Sequence, residues 1–293
     1  MASAELRQIR RRIRSVESTM KITRAMELIA ASRIVKAQQR VTAAQPYTRK
    51  MEEVIRNVAA ASGGTSHPLL DDRPIRTAGA LVVTSDRGLA GAYNSNILRI
   101  AESRLIGHKR AGTDVRVFVV GKKAQSYFRY RGYQIDRAFL GVTDTPGYGD
   151  ARAIANVIMN EYAEGNVDSV EVFTTLYVSA LTQQAQTRAL LPIQPPEVAG
   201  DQTTGPVGYA YEPSAEVILG RLLPRYVEAS IFGFLLDASA SEHAARRRAM
   251  KAATENAEEL VRVLSREANQ ARQAEITTEI SEIVGGAEAL TRG

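Results

Sequence analysis

Apolar residues spaced alternately three and four positions apart run through residues 6–58 and constrain the fold more than any other feature. The residues at this spacing are Leu6, Ile9, Ile13, Val16, Met20, Thr23, Glu27, Ala30, Ile34, Ala37, Val41, Ala44, Thr48, Met51, Ile55 and Val58. Such a stride is the contact line, or seam, of a left-handed coiled coil, and it needs a partner helix to cover it. The pattern therefore predicts one long helix in residues 1–61.

The same spacing returns at the other end of the chain. The residues that carry it there are Ile276, Ile280, Ile283, Ala287 and Leu290. A second long helix is therefore predicted within residues 211–293, and its alanine-rich part allows two helices to approach closely. Pro46 and Pro224 predict a bend or weak point in each helix, because proline removes a backbone donor. Together the two ends predict an antiparallel two-helix coiled coil.

The middle of the chain alternates between apolar runs and helical patterns. The predicted strands are 78–84, 115–121 and 169–177, and the predicted helices are 96–105, 124–131 and 151–163. This alternation favours a Rossmann-like α/β domain with a largely parallel sheet. Small polar residues at 61–66 and a proline-rich stretch at 192–213 separate it from the helices. The predicted fold is α/β plus a long coiled coil, with three domains at 1–61, 76–210 and 211–293.

Composition excludes several kinds of chemistry. The chain has 0 Cys, 3 His and 0 Trp, so disulfides, thiolate catalysis and cysteine metal sites are excluded. Its histidines are too scattered for a metal cluster, and 6% aromatic residues do not suggest a base-stacking surface. We therefore predict no catalytic residue, no cofactor and no metal. Because no run of about 18 apolar residues occurs, we also predict no direct membrane insertion.

Positive charge is concentrated in the first helix. Residues 1–50 contain twelve basic and three acidic residues, a local excess larger than the +6 of the whole chain. An acidic partner is expected, which could be nucleic acid, anionic lipid or protein. The charges surround the helix and form no separate DNA-docking region. A coiled-coil scaffold, a basic nucleic-acid-binding protein with an α/β domain, and a Rossmann-type enzyme with helical arms remain alternatives.

A glycine-rich segment, SDRGLAGAYN at residues 85–94, follows the first predicted strand. It lacks the third glycine and the spacing of a dinucleotide fingerprint, and residues 121–124 lack the pattern of a phosphate loop. We interpret the segment as a tight turn that needs small residues. Four acids have no histidine or cysteine partner in the sequence and are interpreted as solvated loop and helix-face residues. They are Asp144, Asp150, Glu161 and Asp168.

Three segments give the chain a family resemblance. They are ITRAMELIAASR at residues 22–33, SDRGLAGAYN at 85–94 and ITTEISEIVGGA at 276–287. Over essentially its whole length the chain closely resembles the gamma subunits of F-type ATP synthases. The C-terminal segment is the most specific of the three.

The resemblance implies a central-stalk rotor without catalytic residues of its own. In that family the coiled coil penetrates a ring of three alpha and three beta subunits. The α/β domain lies beside the epsilon subunit and on the c-ring. Rotation driven by proton flow changes the nucleotide affinity of each beta subunit in turn. The implied location is peripheral, at the cytoplasmic face of a bacterial plasma membrane, with no nucleic-acid partner.

The resemblance also implies an interface with the beta subunits. Met26, with Arg24 and Glu27, corresponds to a neck that faces an acidic loop of beta. Further residues correspond to positions that stabilise the neck or form a catch with beta: Arg33, Arg246, Arg272, Gln273, Thr277, Glu279 and Glu282. The segment from Ile276 to Leu290 corresponds to a tip that turns in an apolar bearing. Thr23 and Glu27 interrupt the seam, which either fixes its register or marks a contact zone.

Overall fold

The computed structural model describes residues 4–61, 67–194 and 214–291. These residues group into two compact units, one formed by Met1–Ala30 with Arg247–Gly293 and the other by Ala31–Arg246. We call them the terminal unit and the central unit. The predicted helix end at 62–66 and most of the proline-rich stretch, 195–213, lie outside the described residues. The division into three domains stays a prediction.

Two long helices occupy the two ends of the chain. Helix α1 spans Ala4–Ala61 and helix α5 spans Ala215–Thr291. Their described bounds agree with the predicted helices, and Pro46 and Pro224 lie inside them without ending either one. Every predicted seam position of α1, from Leu6 to Val58, is buried or partly buried. The spacing of apolar residues therefore predicted the contact side of α1 correctly.

In the terminal unit, the first part of α1 pairs with the part of α5 from Met250 to Ala268. The Thr23 and Thr254 hydroxyls lie 2.8 Å apart in a buried hydrogen bond. Buried side chains come from both helices: Leu6, Thr23 and Ala30 from α1, and Met250, Thr254, Ala257, Leu264 and Ala268 from α5. The predicted pairing of the two chain ends is therefore present in this unit.

The described apolar residues of the predicted C-terminal seam are not covered by α1. Ile276, Ile280 and Ile283 are 43%, 56% and 71% exposed, and the side chain of Leu290 lies outside the described residues. Among the described α5 side chains of this unit, full burial ends at Ala268. Helix α1 begins at Ala4 in the described structure. No earlier described turn of α1 is therefore available to cover the apolar residues of α5 that follow Ala268.

The central unit contains a five-stranded sheet. Strands β1 (Thr77–Val83), β2 (Asp114–Val120), β3 (Ile135–Phe139), β4 (Ser169–Tyr177) and β5 (Gln183–Leu191) are arranged in the order β3-β2-β1-β4-β5. The first four are parallel, and β5 runs antiparallel beside β4. The largely parallel sheet was predicted, but β3 and β5 were not.

Side chains of the central strands alternate between two apolar cores, as the strand period of two requires. Leu81 and Phe118 face a core that also contains residues of α1, α5 and α4 (Tyr148–Ala163). Val82 and Val119 face the opposite core, which is covered by α2 (Tyr93–Arg110) and α3 (Lys122–Tyr130). The sheet therefore has helices on both faces.

The long helices also contribute to the central unit. Ile55 and Val58 of α1 belong to the same core cluster as Leu219, Leu223 and Val227 at the start of α5. None of the described helices contains an apolar stretch long enough to cross a membrane.

Candidate partner interface

The predicted neck residues lie on α1 in the terminal unit. Arg24 is exposed, whereas Met26 and Glu27 are partly buried. One carboxylate oxygen of Glu27, Oε2, is buried without a hydrogen-bond partner among the described residues. The structure therefore presents Arg24 to solvent and leaves part of Met26 accessible, next to the seam residue Thr23.

The predicted catch residues on α5 lie away from this neck. Arg272, Gln273, Thr277, Glu279 and Glu282 are all exposed. Thr277 donates its hydroxyl hydrogen to the carbonyl oxygen of Gln273, 2.9 Å away, within its own helix. Arg272 lies about 18 residues beyond Thr254, which is roughly 27 Å along a helix. Within the terminal unit, the predicted neck and catch are therefore two separate surfaces.

The other two predicted residues, Arg33 and Arg246, lie in the central unit and are held inside it. The Arg33 guanidinium donates to both carboxylate oxygens of Asp144. Arg246 Nη2 lies 2.6 Å from Glu242 Oε1 and 3.3 Å from the carbonyl oxygen of Gly88. Arg33 therefore joins α1 to the loop that follows β3, and Arg246 joins α5 to the loop that follows β1.

These contacts form one polar group that we call the Asp144 cluster. It consists of Arg33, Asp144, Ser239, Glu242, His243 and Arg246. Ser239 donates its hydroxyl to the Asp144 carbonyl oxygen at 3.1 Å, and His243 Nε2 lies 3.3 Å from the same oxygen. Glu242 and His243 are each only 2% exposed. Sequence reasoning missed these two residues, although Ser241, Glu242 and His243 are three consecutive polar residues in an alanine-rich helix.

Burial dominates the electrostatics of the cluster. Burial raises the pKa of Glu242 to about 7, with Arg246 opposing the shift and the Asp144 and Asp86 carboxylates adding to it. Burial lowers the pKa of His243, against the effect of Asp144. Glu242 Oε2 and His243 Nδ1 are buried without hydrogen-bond partners among the described residues. The cluster therefore holds charge at a cost, because burial disfavours the ionised forms.

The glycine-rich loop between β1 and α2 is closed by its own side chains. The Asp86 carboxylate accepts hydrogen bonds from Lys122 N at 3.1 Å, Gly141 N at 3.0 Å and the Thr143 hydroxyl at 3.0 Å. Gly121 precedes α3 with φ +92°, and a Cβ there would lie 2.4 Å from the Thr84 carbonyl oxygen. An internal carboxylate thus occupies the N-terminal end of α3, where a phosphate could otherwise bind. This geometry supports the interpretation of the loop as a structural turn.

The interpretation of four acids as solvated residues was wrong. Asp144 pairs with Arg33, Glu161 pairs with Arg116, and Asp168 lies 2.9 Å from Arg73. Asp150 accepts a hydrogen bond from Gly147 N at 2.8 Å, at the start of α4. Their partners are distant in sequence or belong to the backbone, so side-chain spacing could not reveal them.

The described side chains bind one another and connect helices to loops. No group of three or more His, Asp or Glu residues suited to a metal ion occurs among them. Fold and site together define a structural class: a protein whose two ends form long helices that pair in one unit, and whose Rossmann-like sheet is joined, within the other unit, to further parts of the same helices by ion pairs and hydrogen bonds.

Comparison with known proteins identifies the family within this class. The ATP synthase family model matches residues 5–290. The ATP synthase gamma chain of Acidothermus cellulolyticus is 51% identical, with 98% of this chain and 97% of that protein covered. The gamma chain of Streptomyces coelicolor is 49% identical, with 98% and 96% covered. The chain therefore belongs to the ATP synthase gamma chain family.

Solved structures share the fold. A chain in the central stalk and c-ring of the Tetrahymena thermophila mitochondrial ATP synthase has a TM-score of 0.60 at 21% identity, covering 79% of this chain and 99% of that one. A chain in the rotor of the Euglena gracilis mitochondrial ATP synthase has a TM-score of 0.63 at 16% identity, covering 93% and 99%. At these identities the likeness supports the fold alone.

Proposed function

We propose that this protein is the central-stalk rotor subunit of a proton-translocating F-type ATP synthase. It transmits torque between the c-ring and the catalytic beta subunits and does not catalyse the reaction itself. The observation that carries the proposal is the full-length family match, on a chain whose two ends form long helices that pair. Mechanical work needs a stiff element, and a helix paired along a largely apolar seam is stiffer than a single helix.

The proposed partners are the alpha and beta subunits of the catalytic hexamer, the epsilon subunit and the c-ring. The protein would act as a peripheral subunit at the cytoplasmic face of a bacterial plasma membrane. Supporting this set, the structurally similar chains come from assemblies named for the central stalk, the rotor and the c-ring.

We assign the neck to Arg24, Met26 and Glu27. The exposed Arg24 and the excess of basic residues in residues 1–50 suit an acidic surface on beta. Arg33 contributes indirectly, because its guanidinium is bound to Asp144 inside the central unit.

We assign the catch to the exposed residues of α5 beyond Ala268: Arg272, Gln273, Thr277, Glu279 and Glu282. The tip, which overlaps the last of these residues, carries uncovered apolar side chains, with Ile280 and Ile283 more than half exposed. Apolar contacts are non-directional, so such a tip can turn inside an apolar collar without breaking hydrogen bonds. Arg246, which the family resemblance groups with the neck and catch, is held in the Asp144 cluster of the central unit.

Rotation of a single assembly tests the proposed function directly. The chain has 0 Cys, so Ser103→Cys on the exposed face of α2 introduces a unique thiol in this subunit. A bead attached to that thiol in an assembly immobilised through its beta subunits should rotate in one direction when ATP is added. ATP hydrolysis at an ordinary rate with a stationary bead would refute the rotor proposal.

Replacement of Met26 tests the neck. Met26→Lys replaces a partly buried apolar side chain of the neck by an ammonium and should reduce ATP-driven proton pumping more than it reduces assembly or hydrolysis. Met26→Leu, which keeps an apolar side chain of similar volume, is the matched control and should pump normally. Unimpaired coupling in Met26→Lys would remove Met26 from the neck.

A further inference from the structure

The segment that leads into β1 has no part in the interfaces assigned above. It consists of residues 67–76 in the central unit, and we call it the strap. Leu69 is only 5% exposed and belongs to the same core cluster as Ile55 and Val58, near the end of α1. Ile193 N, just beyond β5, donates to the Leu69 carbonyl oxygen at 2.8 Å. The strap therefore shares a core with α1 and is also bound to the sheet.

Arg73 joins the strap to the last turn of α4. Its Nη2 donates to the carbonyl oxygens of Tyr162, at 2.7 Å, and Val167, at 2.5 Å, and its guanidinium carbon lies 4.5 Å from the centre of the Tyr162 ring. The Tyr162 hydroxyl donates in return to the Asp71 carbonyl oxygen at 2.7 Å. The described last turn of α4 contains no basic residue. Because the C-terminal end of a helix favours a nearby cation, Arg73 supplies that charge from a distant part of the chain.

Asp168, immediately before β4, binds both the side chain and the backbone of the strap. Its Oδ1 lies 2.9 Å from Arg73 Nε, and its Oδ2 accepts hydrogen bonds from Arg76 N and Thr77 N, each at 2.9 Å. Although burial acts to raise the pKa of Asp168, these contacts lower it. The carboxylate is therefore held in its ionised form and ties the end of the strap to β4.

The strap and the Asp144 cluster hold α1 at opposite ends of the sheet. The strap meets the parallel strands β1 and β4 where they begin, which is the amino edge of the sheet. The Asp144 cluster contacts the loops that follow β3 and β1, which lie at the carboxyl edge. Strand β1 has 7 residues, so the two edges are about 20 Å apart. A helix attached to a sheet at one point can pivot there, whereas two separated attachments prevent pivoting.

Apolar packing alone does not secure the end of α1 against sideways movement. Ile55 and Val58 enter the core through apolar contacts, which oppose separation but have no preferred direction. Hydrogen bonds weaken steeply when their distance or angle changes, so they also oppose sliding. The polar contacts of Arg73, Tyr162 and Asp168 are therefore the contacts of the strap that resist shear between α1 and the sheet.

We propose that the strap is a torque-transmitting link between α1 and the sheet, with Arg73 as its main positioning residue. Arg73 binds the end of α4, stacks on Tyr162 and pairs with Asp168, and in this way it keeps the end of α1 from shifting across the sheet while the rotor turns against a load. The inference rests on the proposed function and adds a second place where torque passes between a long helix and the sheet. It requires no contact with another subunit.

The angular fluctuations of a rotating assembly test the proposal. A bead attached through Ser103→Cys lies on the sheet domain, so its angular spread during the pauses between steps reports the stiffness of the links between the immobilised beta subunits and the sheet. Arg73→Met keeps the apolar stem of the side chain and removes the guanidinium. It should broaden that spread by about twofold, because a polar link opens locally, and it should leave the rate of ATP hydrolysis unchanged.

Three further variants separate the strap from general stability. Arg76→Ala is the matched control, because it removes a neighbouring exposed guanidinium and keeps the backbone N–H that Asp168 binds; the spread should not change. Ile97→Val weakens the apolar core on the opposite face of the sheet and should also leave the spread unchanged. Asp168→Asn keeps an oxygen for the backbone donors but loses the charge that pairs with Arg73, so it should broaden the spread less than Arg73→Met does.

The outcomes distinguish this inference from the proposed function. A bead that does not turn in the Ser103→Cys protein argues against the rotor itself. A bead that turns with the same angular spread in Arg73→Met as in the parent protein overturns the strap alone. Equal broadening in Ile97→Val also overturns it, since general loosening would then set the stiffness. If Arg73→Met does not assemble, the same measurement on Asp168→Asn decides, and an unchanged spread there rejects the strap.

Discussion

The central and terminal units are stabilised in different ways. In the central unit, ion pairs join elements that are distant in sequence, such as Arg33 with Asp144 and Arg73 with Asp168. In the terminal unit, the two helices meet through apolar and small side chains and through the hydrogen bond between Thr23 and Thr254. Ion pairs and hydrogen bonds hold the elements of the central unit in one arrangement. The small and apolar side chains of the terminal unit pack the two helices together mainly through contacts that have no preferred direction.

This difference matches two mechanical requirements of a rotor. A domain that receives torque must not shear from its helices, and the Asp144 cluster meets this requirement by joining α1 and α5 to loops of the central unit through the Arg33–Asp144 ion pair and the Ser239 hydrogen bond. A shaft that turns inside a collar must avoid strong directional bonds on its surface. If this contrast holds, stability should be most sensitive to substitution in the core of the sheet and least sensitive at the hydrogen bond between the terminal helices.

The largest effect is expected from the core of the sheet. Phe118 is fully buried at 0% exposure, so Phe118→Ala should reduce the free energy of unfolding by about 3–5 kcal/mol through loss of apolar burial and a residual cavity. Ile280→Ala, at a residue that is 56% exposed in the terminal unit, should change it by less than about 0.5 kcal/mol. Urea unfolding of the purified chain measures both. Equal losses would contradict the contrast between core and tip.

Breaking the buried ion pair should have the next largest effect. Arg246→Ala leaves Glu242 buried without its partner and should cost about 3 kcal/mol of unfolding free energy. The exposed pair of Arg262 and Glu259, 3.8 Å apart in the terminal unit, provides the control, and Arg262→Ala should cost less than about 0.5 kcal/mol.

A double replacement separates the pair from its packing. Glu242→Leu combined with Arg246→Met removes both charges and should recover much of the stability lost in Arg246→Ala. If the double variant is less stable than the single one, packing and not charge explains the loss.

Glu242 should make stability depend on pH. Because burial raises its pKa from an ordinary 4.5 to about 7, the folded state favours the protonated carboxyl. Its contribution is fully present below about pH 4.5 and is lost as the pH rises through about 7, by up to ~3 kcal/mol. Glu242→Gln should therefore lose this decline. The check is the difference between the two unfolding free energies from pH 4 to 8.

A control separates this effect from those of other groups. Glu255 is exposed in the terminal unit, so Glu255→Gln should leave the pH profile unchanged. Asp168 acts in the opposite direction, because its pKa is lowered and its contribution is lost as the pH falls. If the difference in unfolding free energy between the unchanged protein and Glu242→Gln instead stays constant from pH 4 to 8, that result would show that burial does not set the protonation of Glu242.

The smallest effect is expected at the hydrogen bond between the terminal helices. A double-mutant cycle with Thr23→Val and Thr254→Val should give a coupling of about 1 kcal/mol. Each hydroxyl also lies within hydrogen-bonding distance of a carbonyl oxygen of its own helix, Met20 for Thr23 and Met250 for Thr254, which limits the loss. Thr19→Val, at an exposed residue of α1, serves as the control. A coupling of zero would leave the apolar seam as the sole source of pairing.

Several elements could be predicted because their signal is local. The seam of α1 followed from the spacing of Leu6 to Val58, since a helix places such residues on one side whatever it meets. Strands β1, β2 and β4 followed from short runs of β-branched and apolar residues. The family resemblance also followed from local segments, chiefly residues 276–287.

Other elements could not be predicted because their stability comes from a partner. Strand β5 has the polar sequence QQAQTRALL and is a strand because it pairs with β4 in antiparallel register. The short β3 likewise depends on β2. The helical stride at Ile276, Ile280 and Ile283 predicted a helix correctly, but it could not show whether any other helix would cover it.

The sequence by itself determined the two long helices, the contact side of α1, the α/β alternation and the family. These properties depend on the periodicity and identity of neighbouring residues. The tertiary structure decided which polar groups became buried partners, as with Glu242 and Arg246 against Gly88, and which apolar residues stayed exposed, as with Leu89 and Tyr130. Burial and charge pairing depend on residues brought together from distant parts of the chain, and sequence spacing carries no record of those distances.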